Sequence, residues 1–141
     1  MSIHITFLQK NDYIGYLNLM KQFRPIEYII SFEKFCEYYD IIFKNSEIFV
    51  ARLNDKIVGS ITIIYDQKFI NNYALYGHIE DVVVDEDYRT LKIGSKLIEH
   101  VKNRCIEKNC RKCSLVCSKE ISSFYLKNHF EEKGIHMTFT L

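Results

Sequence analysis

The sequence predicts an α/β fold: a mixed central β-sheet with helices on both faces. Three observations point there. Runs rich in β-branched and aromatic residues occur near both ends and in the middle of the chain, and stretches with helical spacing separate them. A turn signal, Asn54-Asp55-Lys56, joins two of the strand-like runs. The apolar run Gly77-His78-Ile79-Glu80-Asp81-Val82-Val83-Val84 gives way, near Gly94, to a segment with helical spacing, so a strand turns into a helix.

Each element follows from its local pattern. Ile3, Ile5 and Phe7 alternate with Ser2, His4 and Thr6, which predicts a first strand. Asn11 or Asp12 can cap a helix running to about Phe23, with Ile14, Leu17 and Met20 among its apolar positions. Arg24-Pro25 ends it, because proline disfavours helix at the residue before it. Ser31 can cap a second helix, with Phe32, Phe35, Cys36 and Tyr39 at helical spacing. Residues 47–53 and 57–65 then predict a hairpin. Residues 73–84 are the next strand, with an irregular start. Residues 94–108 form a helix with Leu97, Ile98 and Val101 on one side. A strand over 112–117, a short helix over 122–128 and a closing strand over 135–140 complete the pattern. The order β-α-α-β-β-β-α-β-α-β shows no repeat, low-complexity tract or domain boundary, so residues 1–141 read as a single domain.

Composition narrows the function classes. The chain has 141 residues, 48% hydrophobic and 26% charged, a globular balance with a sizeable core. Its net charge of +1 argues against nucleic acid as a partner, so any phosphate must be bound by local groups. The N-terminus lacks a secretory pattern, and no window approaches a membrane span. Five cysteines without a secretory pattern predict reduced thiols and a cytoplasmic setting. Cys105, Cys110, Cys113 and Cys117 have the count of a zinc site. Cys113 and Cys117, however, fall in one predicted strand, ~13 Å apart at ~3.3 Å per residue. No metal is expected, and the thiols read as small buried side chains. His78 reads as a strand histidine bonded to backbone.

The chemistry concentrates at two places. Acids are rarely buried without a partner, so Glu80-Asp81 inside an apolar run suggests a working position. Successive residues of a regular strand face opposite sides, so both can meet one substrate only where the strand is bulged or splayed. The turn that follows, 87–95, suits a phosphate-bearing ligand. A helix start offers converging N–H groups and a favourable macrodipole. Gly94 allows close backbone approach, Arg89, Lys92 and Lys96 add positive charge, and Ser95 adds a hydroxyl.

These residues carry a resemblance. The order of elements is similar to the GCN5-related N-acetyltransferase fold, and within that superfamily the chain resembles the glucosamine-6-phosphate N-acetyltransferase family. The matching pieces are Leu19-Met20-Lys21-Gln22-Phe23, Ser31-Phe32-Glu33-Lys34-Phe35, Lys68-Phe69-Ile70 and Gly77 through Val84. Tyr88-Arg89, Gly94, Lys112, Cys117 and Phe124-Tyr125 continue the match. The resemblance implies a sheet splayed near Val82 and acetyl-CoA as co-substrate. It implies a diphosphate at Arg89, Thr90, Lys92, Ile93, Gly94, Ser95 and Lys96, pantetheine along Val82, Val83 and Val84, and Ser123 and Tyr125 near the coenzyme. Glu80 is then the base or water relay for the attacking amine, and Asp81 holds the amino sugar. Tyr125 stabilises the leaving thiolate by a hydrogen bond; full proton donation from a phenol of pKa about 10 to a thiolate of about 8.5 runs uphill. Candidates for the sugar phosphate are Arg24, Lys68 and Lys112. The family is usually a homodimer with its last strands exchanged or interleaved, and its product feeds UDP-N-acetylglucosamine synthesis.

The chain also departs from the family. The superfamily turn [QR]-x-x-G-x-[GA] is Arg89-Thr90-Leu91-Lys92-Ile93-Gly94 here, with Lys at the middle glycine. Val116 stands where the family often has an acid, and Ile121 where it often has Asn. The tail Met137-Thr138-Phe139-Thr140-Leu141 lacks the Arg that reaches the sugar phosphate. Two other readings therefore stay open: an acetyltransferase for another primary amine (a peptide N-terminus, a polyamine or another amino sugar), and a non-catalytic acetyl-CoA-binding domain.

Overall fold

The computed structural model of the chain describes residues 2–141. Its elements are β1 (His4–Phe7), α1 (Tyr13–Phe23), α2 (Phe32–Ile42), β2 (Ser46–Leu53), β3 (Lys56–Gln67), β4 (Leu75–Val84), α3 (Ile93–Glu107), β5 (Cys110–Leu115) and α4 (Ser122–Lys127). The strands lie in the order β1-β2-β3-β4-β5. The first four pair antiparallel, and β4 and β5 pair parallel. A parallel pair needs a crossover rather than a tight turn, and α3 provides it.

The sheet is covered on both sides, as predicted. Ile61, Ile63 and Ile79 bury one face against Ile93, Leu97, Ile98 and Val101 of α3. Ile48, Val50, Ile57 and Val83 bury the other against Leu19 of α1 and Phe35 of α2. Helix α3 lies so close that a Cβ at Gly59 would fall 2.8 Å from Ile93 Cγ2. That close approach fixes the start of α3 over the middle of the sheet. The hairpin turn is also as read: Asn54 and Asp55 both have positive φ, 50° and 65°, the geometry that suits the right-handed strand twist.

The helix starts differ from one another. Ser31 caps α2, accepting the Lys34 N–H at 3.1 Å. Asp12 does not cap α1 with its side chain. Its carboxylate instead accepts the Gln9 N–H at 2.8 Å and two bonds from the Arg52 guanidinium at 2.8 and 2.6 Å. A charged fork is a stronger partner than one helix N–H, and it ties α1 to β2.

Four expectations need correction. Residues 73–74 are not strand: Asn71, Asn72 and Tyr73 form a left-handed turn, with φ of 53°, 59° and 61°, and β4 starts at Leu75. The last strand of the sheet starts two residues earlier than expected and ends at Leu115, because Leu75 pairs with Cys110 and Gly77 with Cys113. Cys117 therefore lies outside it. His78 binds side chains rather than backbone; Nδ1 lies 2.9 Å from Ser114 Oγ and Nε2 lies 3.6 Å from Asp66 Oδ2. Residues 135–140 form no strand. The alternation of Ile135, Met137, Phe139 and Leu141 is there, but these side chains are almost fully exposed and the segment has no strand beside it. An extended segment without a ladder partner leaves its backbone bonds to water.

Candidate active site

The site begins with a single left-handed residue. Along β4, Glu80 pairs with Thr62 and Val83 with Ser60, so Asp81 and Val82 together oppose the one residue Ile61. This is a β-bulge, and Asp81 carries its positive φ of 50°. Aspartate is among the few residues that tolerate this region. The bulge reverses the facing of everything downstream. Ile79 faces α3, yet Val83, four residues on, packs with α1 and α2. Glu80 and Asp81 thereby escape strict alternation, and both are exposed.

The same point opens the sheet. The β4–β5 ladder runs from Leu75 to Ile79 on β4 and stops at Ile79 opposite Leu115. Residues 80–84 have no β5 partner, and Val82 and Val84 are half-buried. An extended ligand arm can lie along this edge and bond the backbone as a strand would.

The turn after β4 is a short 3-10 segment, Glu86–Leu91, that delivers the chain to α3. Lys92 joins them in the left-handed region, φ 57°, ψ 31°. No side chain caps α3, so its first N–H groups have no side-chain partner. Arg89, Thr90, Lys92 and Lys96 are exposed beside them. Ile93 is wholly buried, so only its backbone faces the turn. The space above Gly94 is limited by α4: a Cβ there would meet Phe124 Cζ at 3.1 Å.

Helix α4 completes the crevice. Phe124 packs on Gly94, and Asn128 Nδ2 donates to Ser95 Oγ at 3.4 Å. Tyr125 is buried between Phe124 and Phe130, with ring centroids 5.0 and 6.0 Å away. Burial raises its phenol above the ordinary tyrosine value, and the nearby Cys117 adds to this. It is a neutral hydrogen-bond donor at neutral pH. Ser123 is exposed on α4.

The candidates for a ligand phosphate divide. Lys68 and Lys112 each lie against the Tyr76 ring, their ammonium groups 5.7 and 4.9 Å from its centre. Lys68 also pairs with Asp66 at 2.7 Å. Arg24 stands apart at the end of α1, stacked on Phe23 and donating to its carbonyl at 3.0 Å. Among the described residues no group of His, Cys, Asp or Glu is arranged to hold a metal ion.

Sequence reading passed over several residues here. Tyr16 of α1 reaches in beside Ser60 and close enough to Asp81 to feel its charge; burial, then that charge, pushes its phenol up to about 12. Asn128 binds the first turn of α3. Asp85 and Gln22 hold the turn from behind. Only Gln22 stood in a motif that the resemblance singled out.

The pattern of the Acetyltransferase (GNAT) family matches residues 9–130. Glucosamine 6-phosphate N-acetyltransferase 1 of Dictyostelium discoideum is 33% identical over 133 residues, covering 90% of this chain and 83% of that protein. The glucosamine 6-phosphate N-acetyltransferase of Arabidopsis thaliana is 37% identical over 83 residues, covering 59% of this chain and 56% of that one. A crystal structure of the Arabidopsis thaliana enzyme superposes with a TM-score of 0.92 at 29% identity, covering 99% of both chains. An acetyltransferase structure from Trypanosoma brucei superposes with a TM-score of 0.94 at 26% identity, covering 99% of this chain and 100% of that one.

The left-handed Lys92 generates a prediction. A non-glycine residue costs about 1–2 kcal/mol there. Lys92→Gly relieves this, less the greater chain entropy of glycine. The expected gain in unfolding free energy is about 0.5–1 kcal/mol, read by denaturant titration. A loss of stability would contradict the left-handed placement.

Proposed function

Because this chain belongs to the acetyltransferase (GNAT) family, we propose that it transfers the acetyl group of acetyl-CoA to the amine of glucosamine 6-phosphate. The product is N-acetylglucosamine 6-phosphate, a precursor for UDP-N-acetylglucosamine. One observation carries the reading. The ladder between two parallel strands stops at Ile79 and Leu115, directly beside the exposed carboxylates of Glu80 and of the bulge residue Asp81. Relatives bearing that enzyme name supply the acceptor.

The residues fit acetyl-CoA as co-substrate. Its diphosphate needs N–H donors and cations, and the uncapped start of α3 with Arg89, Lys92 and Lys96 provides both. Thr90, Gly94 and Ser95 line the same turn. The pantetheine arm, itself amide-bearing, matches the free edge at Val82, Val83 and Val84. In this reading the thioester lies between Glu80-Asp81 and Tyr125.

The chemistry then follows from the chain's own groups. The acceptor arrives as an ammonium and must lose a proton before its lone pair can attack. Glu80 takes that proton, directly or through a water, and Asp81 orients the amine. Attack on the thioester carbon moves an electron pair onto the carbonyl oxygen. A backbone N–H at Val82 or Val83 stabilises the oxyanion. Collapse re-forms the carbonyl and breaks the C–S bond, the nitrogen gives up its second proton to solvent water, and the Tyr125 hydroxyl donates a hydrogen bond to the departing thiolate. Burial makes that phenol a poorer acid, which favours hydrogen bonding over proton transfer. Lys68 and Lys112 are the phosphate ligands of this reading. Arg24 serves the acceptor side only if the 24–31 loop carries it inward.

The working unit of this reading is a homodimer of single-domain chains in the cytoplasm, where free thiols persist. The outer edge of β5 is unpaired, and the tail of the chain has the alternation of a strand with no sheet to join. Exchange of tails between two copies would pair both edges.

Three outcomes are expected. In steady-state assays kcat/KM for glucosamine 6-phosphate exceeds that for glucosamine by more than ~100-fold, the scale of two charged hydrogen bonds. Equal values would discard the sugar-phosphate assignment. Tyr125→Phe lowers kcat about 10-fold with little change in KM for acetyl-CoA, as expected for an interaction made in the transition state. An unchanged kcat removes the thiolate role. Sedimentation of the full chain gives a dimer, and of a chain ending at Phe130 a monomer; a monomeric full chain contradicts the exchange.

A further inference from the structure

We propose that Gln22 is a positioning residue that ties the acetyl-CoA turn to the end of α1, acting with the buried Asp85. The inference rests on the acetyl-CoA site read above and adds to it the contact that holds the front of its turn.

The observations begin with Asp85. It is 4% exposed, and carboxylates are almost never buried so deeply without partners. Every polar group of the residue is committed. Its N–H donates to Val58 O at 2.8 Å, and its carbonyl accepts the Tyr88 N–H at 2.9 Å. Its side chain accepts the Asp87 N–H at 3.0 Å and pairs with the Lys56 ammonium at 3.4 Å. Lys56 also lies 4.9 Å from the centre of the Tyr88 ring. Burial alone would raise this carboxyl; the Asp87 N–H, then Lys56 and Gln22, hold it below the usual carboxylate range. Asp85 thus fixes the start of the turn to the floor of the sheet.

One N–H at the front of the turn remains, that of Glu86. It donates to Gln22 Oε1 at 3.0 Å, across 64 residues of sequence. Gln22 also lies close enough to Asp85 to help hold its carboxyl low. Gln22 is the penultimate residue of α1. One side chain therefore ties the turn to the end of α1.

The consequence for function is specific. The three front N–H groups of the turn, at Glu86, Asp87 and Tyr88, are all engaged. Donors for an anion are left at the far end, where α3 starts without a side-chain cap. Holding the front fixes the angle at which the far end meets a diphosphate.

Gln22 is exposed, so Gln22→Met keeps length and helix propensity while removing the hydrogen bond to Glu86. Calorimetry gives the acetyl-CoA Kd for each protein. We expect the variant to bind acetyl-CoA about 5-fold more weakly, the scale of one hydrogen bond. Its thermal midpoint should match the parent. In steady state KM for acetyl-CoA rises while kcat falls less than 2-fold, and hydrogen exchange at the Glu86 amide quickens without any ligand. An unchanged Kd in the variant overturns the inference and leaves the enzymatic reading intact. Failure of the parent itself to bind acetyl-CoA overturns the enzymatic reading, and the inference with it, even if exchange at Glu86 still responds.

Discussion

The left-handed conformation of Asp81 is the constraint on which the rest depends. One extra residue in β4, opposite Ile61, changes which side chains face α3 and which face α1. Without it Ile79, Asp81 and Val83 would share a face, and one carboxylate would be driven against the apolar contacts of α3. With it Ile79 and Val82 pack toward α3, Val83 packs toward α1, and both acids are left outside. The bulge also increases the local twist, and the parallel ladder to β5 ends at Ile79, two residues before Asp81. Acid placement and sheet opening are two effects of one backbone conformation.

The turn after β4 solves a separate problem. An anion site at a helix start needs N–H groups that no side chain has taken and a backbone path that exposes them. The left-handed Lys92 provides the path, and the uncapped start of α3 provides the donors. Phe124 on Gly94 and Asn128 on Ser95 then bring α4 into register, so that Tyr125 stands near the same crevice. The front of the turn is fixed by polar contacts that reach β3 and α1. Two substrates with different chemistry are thereby offered adjoining surfaces on one rigid sheet.

Much of this was legible in the sequence, and what was not has physical causes. Alternation at Ile3, Ile5 and Phe7, the Asn54-Asp55 turn and the spacing of Leu97, Ile98 and Val101 each report a local preference, and each produced its element. The tail shows where local preference stops short. Ile135, Met137 and Phe139 alternate as a strand does, yet a strand also needs a neighbour, and alternation carries no information about one. Asn71-Asn72-Tyr73 was missed because Tyr73 continues an apolar run, while the left-handed turn is set by the two asparagines before it. The bulge could be argued from two acids that must share a side, but its exact residue could not. The bond from Glu86 to Gln22 joins positions 64 apart, with nothing in either neighbourhood to announce it. Lys92 in the left-handed region could have been read from the motif, since the superfamily writes glycine there.

Amide hydrogen exchange with and without acetyl-CoA tests the open edge of β4 most directly. The structure leaves residues 82–84 without a β5 partner and the N–H groups at the start of α3 without caps. Saturating acetyl-CoA should slow exchange in both segments while the amides of β1 and β2 stay unchanged. Protection confined to other parts of the chain, with residues 82–84 and 93–96 exchanging as before, would contradict the account.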